Sequence, residues 1–546
     1  MRLRMWMYDL AREQSPTIDH LRRLFDLTRE SGYNAIGLYL EHRFAYPSTP
    51  WAHGSGAINR ETVETLLREY PEIQIVPFVN LLGHFEGMLY TEQGSQYAEE
   101  QFKGMQACPS NPRFLELANR ILDDTIAIFP SDLIHIGGDE TTQLGKCPIC
   151  RQRVLELESA DPSTDGKAVL YGDHFAPLAK KVVDAGRIPA VWGDMFLEHP
   201  QALDRLPKQT TVFDWQYFQS PSPSSRQFRS KGFNVVCCPT LHVYDSAWLH
   251  MAPSEQNVRD CVAAVQECDA EGVCLATWEG GLFANYETLL PAIQACGKLF
   301  SQDQVQAPSS PAATMTVTAE RTELMPNEVA VAAYGRLHEA PALLKEYLQS
   351  GETYEEWARL MGLELNALGG VFGFTGLRNG LKCRLLLYSN PFLAWLHHHD
   401  ELCGAKGDAA LDIVERAIAV SPNASARGVS QFVKSGVQFV RFAELARLAY
   451  AAGKPGEAIT HLSPCRQVFD DLAAVARATN IRIGGSLADI ERCKIAKEHV
   501  ERVIRRVKEY GDGSLGYLPS FAMLTHPKFV PHDQAGWWLM NDWANE

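Results

Sequence analysis

"LIHIGGDETT", residues 133–142, runs from an apolar stretch through two glycines into an adjacent Asp and Glu. A regular strand sends neighbouring side chains to opposite faces. Asp139 and Glu140 can therefore serve one site only where the strand stops being regular. Gly137 and Gly138 permit this, because glycine tolerates backbone angles that other residues avoid. An isolated Asp-Glu pair most often reads as a solvated turn, so its meaning depends on what surrounds it.

Working outward, residues 1–300 alternate between short apolar runs and stretches with helical periodicity. The runs are "LRMWMY", "NAIGLYL", "IQIVPFV", "DLIHIG", "IPAVWGD", "TVFDW", "FNVVCC" and "GVCLATW". Helical patterns such as "TIDHLRRLFDLTRESG" and "HFAPLAKKVVDAG" separate them. Eight strands with intervening helices in this length predict a (β/α)₈ TIM barrel. An open doubly wound sheet is the rival, but no G-x-G-x-x-G follows the first strand. Polar and aromatic residues recur at the C-terminal end of each run: Asp9 and Arg12, Glu41 and His42, Asn80 and His84, Asp139 and Glu140, Trp192 and Asp194, Asp214 and Trp215, Tyr244 and Asp245, Trp278 and Glu279. In a barrel those ends converge on one mouth, where active sites sit. The expected organisation is a catalytic barrel over 1–300, a polar, proline-bearing linker over 301–317, and a mainly α-helical C-terminal domain over 318–546.

The chain has 546 residues, of which 46% are hydrophobic and 21% charged, with a net charge of −15. That charge argues against a nucleic-acid partner and against docking on an anionic membrane. No run approaches the length of a membrane span. The N-terminal "MRLRMWMYDLAREQ" lacks an apolar h-region, so no secretory signal is expected. Thirteen scattered cysteines suit reduced thiols and a cytoplasmic location.

"HIGGDE" at 135–140 resembles the signature of glycoside hydrolase family 20, the β-N-acetylhexosaminidases. The resemblance covers the barrel and does not explain the helical half. The N-terminal α/β domain of many members is expected to be missing, because the first strand begins almost at Met1. The resemblance implies a substrate-assisted mechanism, an exception among retaining glycosidases. The sugar's own 2-acetamido oxygen attacks the anomeric carbon and forms an oxazolinium ion. Both enzyme carboxyls then serve one sugar ring, so neighbours in sequence suffice. Asp139 is implied to orient the acetamido group and Glu140 to act as general acid/base, with a nearby carboxylate and a dry pocket lifting its pKa toward the working pH.

Other residues match the family pattern in varying degree. Arg12, in "MYDLAR", resembles the arginine that binds the sugar's outer hydroxyls. Trp192, Trp215 and Trp278 resemble the walls of the acetamido pocket. Tyr244 resembles the tyrosine that bonds the acetamido carbonyl, and Asp245 the acid beside it, although the family commonly shows Tyr-x-Asp where this chain has "VYDS". Glu279 stands near the hydroxyl-binding glutamate, but "TWEGG" replaces Trp-x-Glu. His84 resembles the histidine after strand three. Its usual acidic partner follows strand two, where "LEHRF" leaves either Glu41 as a substitute or His42 in place of the acid.

The implied activity is an exo-β-N-acetylhexosaminidase acting on terminal GlcNAc or GalNAc of a glycan or glycoside, retaining, with no cofactor and no metal. The sequence leaves open which sugar is preferred and whether the chain forms a homo-oligomer. Two alternatives remain: a non-catalytic carbohydrate-binding barrel and a metal-dependent barrel hydrolase. For the second, Cys147 and Cys150 in "CPIC" could pair with Cys237 and Cys238 as a zinc site, although free thiols are the plainer reading. "HHHD" at 397–400 reads as a polar helix end.

Overall fold

In the computed structural model the eight runs are eight parallel strands: β1 Leu3–Asp9, β2 Ala35–Tyr39, β3 Gln74–Phe78, β4 Leu133–His135, β5 Ile188–Trp192, β6 Thr211–Trp215, β7 Asn234–Cys238 and β8 Gly272–Ala276. They close into a barrel in sequence order, with β8 pairing back onto β1. The structure describes residues 1–11, 14–54, 56–100, 105–241, 251–278, 286–301, 356–357, 359–365, 368, 405–422, 424–483 and 488–509.

The strands are largely apolar because both faces are covered. Side chains still alternate with period two. Met5, Met7, Ala35, Tyr39, Val76, Phe78, Leu133, Ala190, Trp192, Phe213, Val236, Cys238, Cys274 and Ala276 form one cluster inside the barrel. Their neighbours in sequence, such as Trp6, Tyr8, Ile36, Leu38 and Val191, belong to a second cluster that includes helix residues. The interior fits large rings against small residues. Gly37 leaves room for Phe78, whose ring would lie 2.6 Å from a Cβ placed there.

Helix Ile18–Glu30 shows how the sequence writes the outer layer. Thr17 caps its start by accepting the His20 amide at 3.1 Å. Leu21, Leu24, Phe25 and Thr28 recur at helical spacing and are buried. Burying Leu21, Leu24 and Phe25 is worth roughly 1.5–3 kcal/mol each. Gly32, at φ +82°, ends the helix, and the Tyr33 amide returns to the Thr28 carbonyl.

Beyond the barrel, the described residues of the C-terminal half are helical, as expected: Ala405–Ala419, Ala424–Ala451, Pro455–Ile483 and Ala488–Glu509. Gly453, at φ +73°, makes the turn between the second and third of these. All but Ser301 of the expected linker, and "HHHD" at 397–400, lie outside the described residues. Among the described residues no helix is long and apolar enough to cross a membrane.

Gly37→Ala should lower barrel stability by about 1–3 kcal/mol through overpacking against Phe78. The double variant with Phe78→Leu should recover part of that loss in urea unfolding; additive losses would show that the two positions do not share space.

Candidate active site

β4 ends at His135, four residues before Asp139. His135 and Asp139, although four apart, therefore do not share a regular strand face. Gly137 and Gly138 take φ of +82° and +108°, and Glu140 is itself left-handed at +46°. Every turn of this backbone is fastened. The Ile136 amide donates to the Ala190 carbonyl, and the Trp192 amide to the Gly137 carbonyl. The Gly137 amide donates to His135 Nδ1 at 3.1 Å, and the Tyr171 hydroxyl to the Gly138 carbonyl. The Glu140 amide donates to Asp194 Oδ2 at 2.9 Å.

A second strained loop meets the first. After β3, Gly83 passes so close that a Cβ there would lie 2.4 Å from the Asp139 carbonyl oxygen. His84 follows at φ +46°. Its Nε2 lies 3.0 Å from Glu140 Oε2 and 3.6 Å from Asp139 Oδ2, so both carboxylates meet one nitrogen. Its Nδ1 faces Glu86 Oε1 at 3.2 Å. The amide of Asn80 braces the loop, donating to Tyr39 Oη at 2.6 Å and to the His84 carbonyl at 3.0 Å.

The histidine's acidic partner is thus settled differently from either alternative. Glu86, two residues along the same loop, makes the direct contact. Glu41 is buried and clusters with His84 and Glu86 within 4.8 Å. His42 does not stand in for an acid; its Nδ1 lies 3.8 Å from Glu41. Burial is the largest single influence on His84 and lowers its pKa. The charges of Asp139 and Glu86, with hydrogen bonds to Glu140 and Glu86, outweigh it and raise the pKa well above 6.5. The surrounding carboxylates therefore favour the imidazolium form of His84.

Asp194 begins the short helix after β5. It accepts the Glu140 amide on one oxygen and Trp215 Nε1, at 3.2 Å, on the other. Burial first, then the charge of Asp139, pushes its carboxyl up to about 7. His135 is the opposite case: fully buried and stacked on Phe78, it is driven well below 6.5 by burial and stays neutral.

The three tryptophans converge. Trp192 lies 5.8 Å from Trp278, ring centre to ring centre, and Trp278 meets the edge of Tyr39 at 4.9 Å. Trp278 Nε1 donates to Tyr217 Oη at 2.6 Å, and the Tyr217 ring lies against Trp215 at 5.0 Å. Arg12, Tyr244, Asp245 and Glu279 lie outside the described residues. Two sequence expectations change. Asp214 does not face the mouth; it turns outward and accepts the hydroxyls of Ser224 and Ser225 at 2.7 Å. The Glu140 side chain is 44% exposed, so a dry pocket around it has to come from bound sugar. Sequence reasoning gave no role to Glu86, Tyr39, Tyr171 or Tyr217. Only Glu86 carried a signal, its spacing of two from His84.

His84 also gives a pH dependence. Its folded pKa is raised, so its pairing with the carboxylates is fully present below pH 6.5 and is lost as pH rises through the raised value. The thermal midpoint of the wild type should exceed that of His84→Gln by a margin that shrinks toward alkaline pH. A margin that does not change with pH would mean that His84 carries no charge.

The catalytic-domain model of glycosyl hydrolase family 20 matches residues 66–273. A β-hexosaminidase of Vibrio furnissii is 26% identical over 254 residues, 44% of this chain and 38% of that protein. A β-hexosaminidase of Akkermansia muciniphila is 28% identical over 141 residues, 25% of this chain and 26% of that protein. The chain thus spans less than half the length of either curated relative. Among solved structures, the exo-β-N-acetylglucosaminidase of Vibrio harveyi in complex with N-acetylglucosamine aligns with a TM-score of 0.45 at 16% identity, covering 56% of this chain and 55% of that one. Within the barrel, over residues 66–273, this chain is similar to the catalytic domain of glycosyl hydrolase family 20.

Proposed function

We propose that the barrel is an exo-acting β-N-acetylhexosaminidase that hydrolyses terminal β-linked GlcNAc or GalNAc with retention, through an oxazolinium ion. The observation that carries this reading is the shared contact of Asp139 and Glu140 with one His84 nitrogen, at 3.6 and 3.0 Å. Inverting glycosidases hold their carboxyls roughly 6.5–9.5 Å apart, across the sugar, to admit a water. A pair gathered on one imidazolium suits one face of one ring.

In this mechanism Glu140, the more exposed of the two, protonates the departing oxygen and later takes a proton from water. Asp139, at 6% exposure, holds the acetamido N–H and offsets the positive charge that develops on the ring. Trp192, Trp215 and Trp278 wall the acetamido pocket, since apolar sugar faces suit aromatic surfaces. Arg12, Tyr244, Asp245 and Glu279 carry over from the family pattern as residues that bind the sugar's hydroxyls and acetamido carbonyl. A pure carbohydrate binder has no need of a carboxylate aligned by an imidazolium, which disfavours the non-catalytic alternative.

Glu140→Gln should lose ~10²–10⁴ of activity toward poor leaving groups and much less toward activated aryl glycosides. Equal losses on both would remove Glu140 from the acid role. Asp139→Asn should cost ~10²–10³ in rate on either substrate. The wild type should give a product of retained configuration by proton NMR. A 2-fluoro sugar should leave no covalent adduct, because Asp139 is not the nucleophile. An inverted product, or added mass at Asp139, would sink the mechanism.

A further inference from the structure

Four residues outside the mouth form a second constellation. Glu99, Cys108, Cys147 and Cys150 each place one ligand atom within 4.8 Å of all the others. Cys237 and Cys238, which the sequence left open as partners of Cys147 and Cys150, are not among them; both lie fully buried in β7. Glu99 and Cys108 come from the segment before helix Pro112–Ile128. There a short antiparallel ladder joins Ala98 to Ala107, with the Cys108 amide donating to the Tyr97 carbonyl and the Glu99 amide to the Gln106 carbonyl. That ladder puts Glu99 and Cys108 diagonally across from each other on one face. Cys147 and Cys150 come from the first turn of helix Pro148–Ala160, where Cys147 is the N-cap.

We propose that Glu99, Cys108, Cys147 and Cys150 bind one structural Zn²⁺. The spacing fits the ion. Thiolates about 2.3 Å from a tetrahedral zinc lie roughly 3.75 Å from one another. Cys108 Sγ lies 3.7 Å from Cys147 Sγ and 3.6 Å from Cys150 Sγ. A zinc-bound carboxylate oxygen would lie about 3.6 Å from each sulfur, and Glu99 Oε2 is 3.3 Å from Cys150 Sγ. Three soft thiolates with one hard oxygen select zinc over magnesium or calcium. Glu99, Cys108 and Cys150 are buried and Cys147 is partly so, which suits a closed structural site rather than an open catalytic one.

The surroundings are those of thiolate ligands. The Cys150 amide donates to Cys147 Sγ at 3.3 Å, and Ser110 Oγ lies 3.1 Å from Cys150 Sγ. The Cys147 amide donates to Glu99 Oε1 at 2.9 Å, which leaves the other carboxylate oxygen for the metal. Three thiolates, one carboxylate and Zn²⁺ sum to −2, the charge of a four-cysteine zinc site, and the helix N-terminus offsets part of it. Binding displaces the thiol protons into solvent and involves no redox change. A disulfide is a poorer fit: the sulfurs are well beyond the bonded distance of about 2.05 Å, and three cysteines leave one over.

The site has a structural task. It joins the loop after Glu140 to the loop beside His84. Gln106 and Gln143 exchange backbone-to-side-chain hydrogen bonds at 3.1 and 3.0 Å. The Ala107 amide donates to the Leu82 carbonyl, and the Phe85 amide to the Met105 carbonyl. Zinc held by Cys108 from one loop and Cys147 and Cys150 from the other would pin both walls of the mouth.

The test is metal analysis of the full chain, tag removed, purified under reducing conditions and reconstituted with zinc. About one zinc per chain should survive gel filtration, and X-ray absorption at the zinc edge should show three sulfurs near ~2.3 Å and one oxygen near ~2.0–2.2 Å. Cys108→Ser and Cys150→Ser should each lose the metal, while Cys268→Ser, remote from the cluster, should keep it. Stripping zinc from the wild type should lower its thermal midpoint. Because a serine variant can fail to fold, the wild-type absorption spectrum decides by itself. A chain that retains no zinc, a shell of nitrogen and oxygen alone, or a disulfide among Cys108, Cys147 and Cys150 by intact mass would overturn the proposal.

Discussion

The backbone from Gly137 to Glu140 must leave the strand left-handed, and the mouth is built around that requirement. Among the described residues four non-glycine residues have positive φ, and three of them, Glu41, His84 and Glu140, stand at the mouth. An L-residue in that region costs roughly 1–2 kcal/mol. Strain of this kind persists only where the surroundings over-determine it. Asp194 holds the Glu140 amide, Tyr171 holds the Gly138 carbonyl, and Asn80 holds the carbonyl of His84. The gain is geometric: two side chains that a regular strand would send to opposite faces meet at one imidazolium.

Charge follows from the same crowding. Glu41, Glu86, Asp139 and Glu140 gather around His84, and Asp194 holds the Glu140 amide. The protein limits the repulsion in two ways. It favours the protonated form of His84, and it raises the Asp194 carboxyl to about 7. Asp194 also shows why a carboxylate, rather than an amide, suits its position. Both of its oxygens accept hydrogen bonds, from the Glu140 amide and the Trp215 ring nitrogen. An asparagine would turn a donor toward one of those donors and leave it unsatisfied, at a cost of about 1–3 kcal/mol. In the proposed mechanism the carboxylates beside His84 face the place where the transition state becomes positive.

The barrel was legible because the strands are mostly apolar runs and long helices such as Ile18–Glu30 and Pro112–Ile128 carry side-chain caps and periodic faces. The pair Asp139–Glu140 was legible because the two glycines announce the break in the strand. Other features depend on contacts between distant segments. Period-two reasoning cannot foresee that Asp214 turns outward, since the serines it serves lie on the next helix. The histidine's partner was sought after strand two because that is where the family places it, whereas here Glu86 reaches Nδ1 from the histidine's own loop. Tyr171, on a helix of the outer layer, shows no periodic or motif signal at all; only the fold brings its hydroxyl to Gly138.

The cysteine cluster makes the same point about position. "CPIC" reads from sequence most plainly as free thiols, with the conspicuous Cys237–Cys238 pair as the alternative partners. Those two residues are ordinary strand residues whose side chains fall on opposite faces of β7, Cys238 inside the barrel and Cys237 outside it. Alternation alone keeps such a pair from closing one tetrahedron. Cys108, by contrast, stands next to no other cysteine, and its ladder with Glu99 is what makes it available. A catalytic pair on strained loops needs support that hydrogen bonds from mobile side chains supply only in part. In this chain the bracing lies behind the mouth, where the segments carrying His84 and Glu140 are tied through Gln106, Gln143 and the thiol cluster. The strain at the front and the cross-link at the back act on the same two loops.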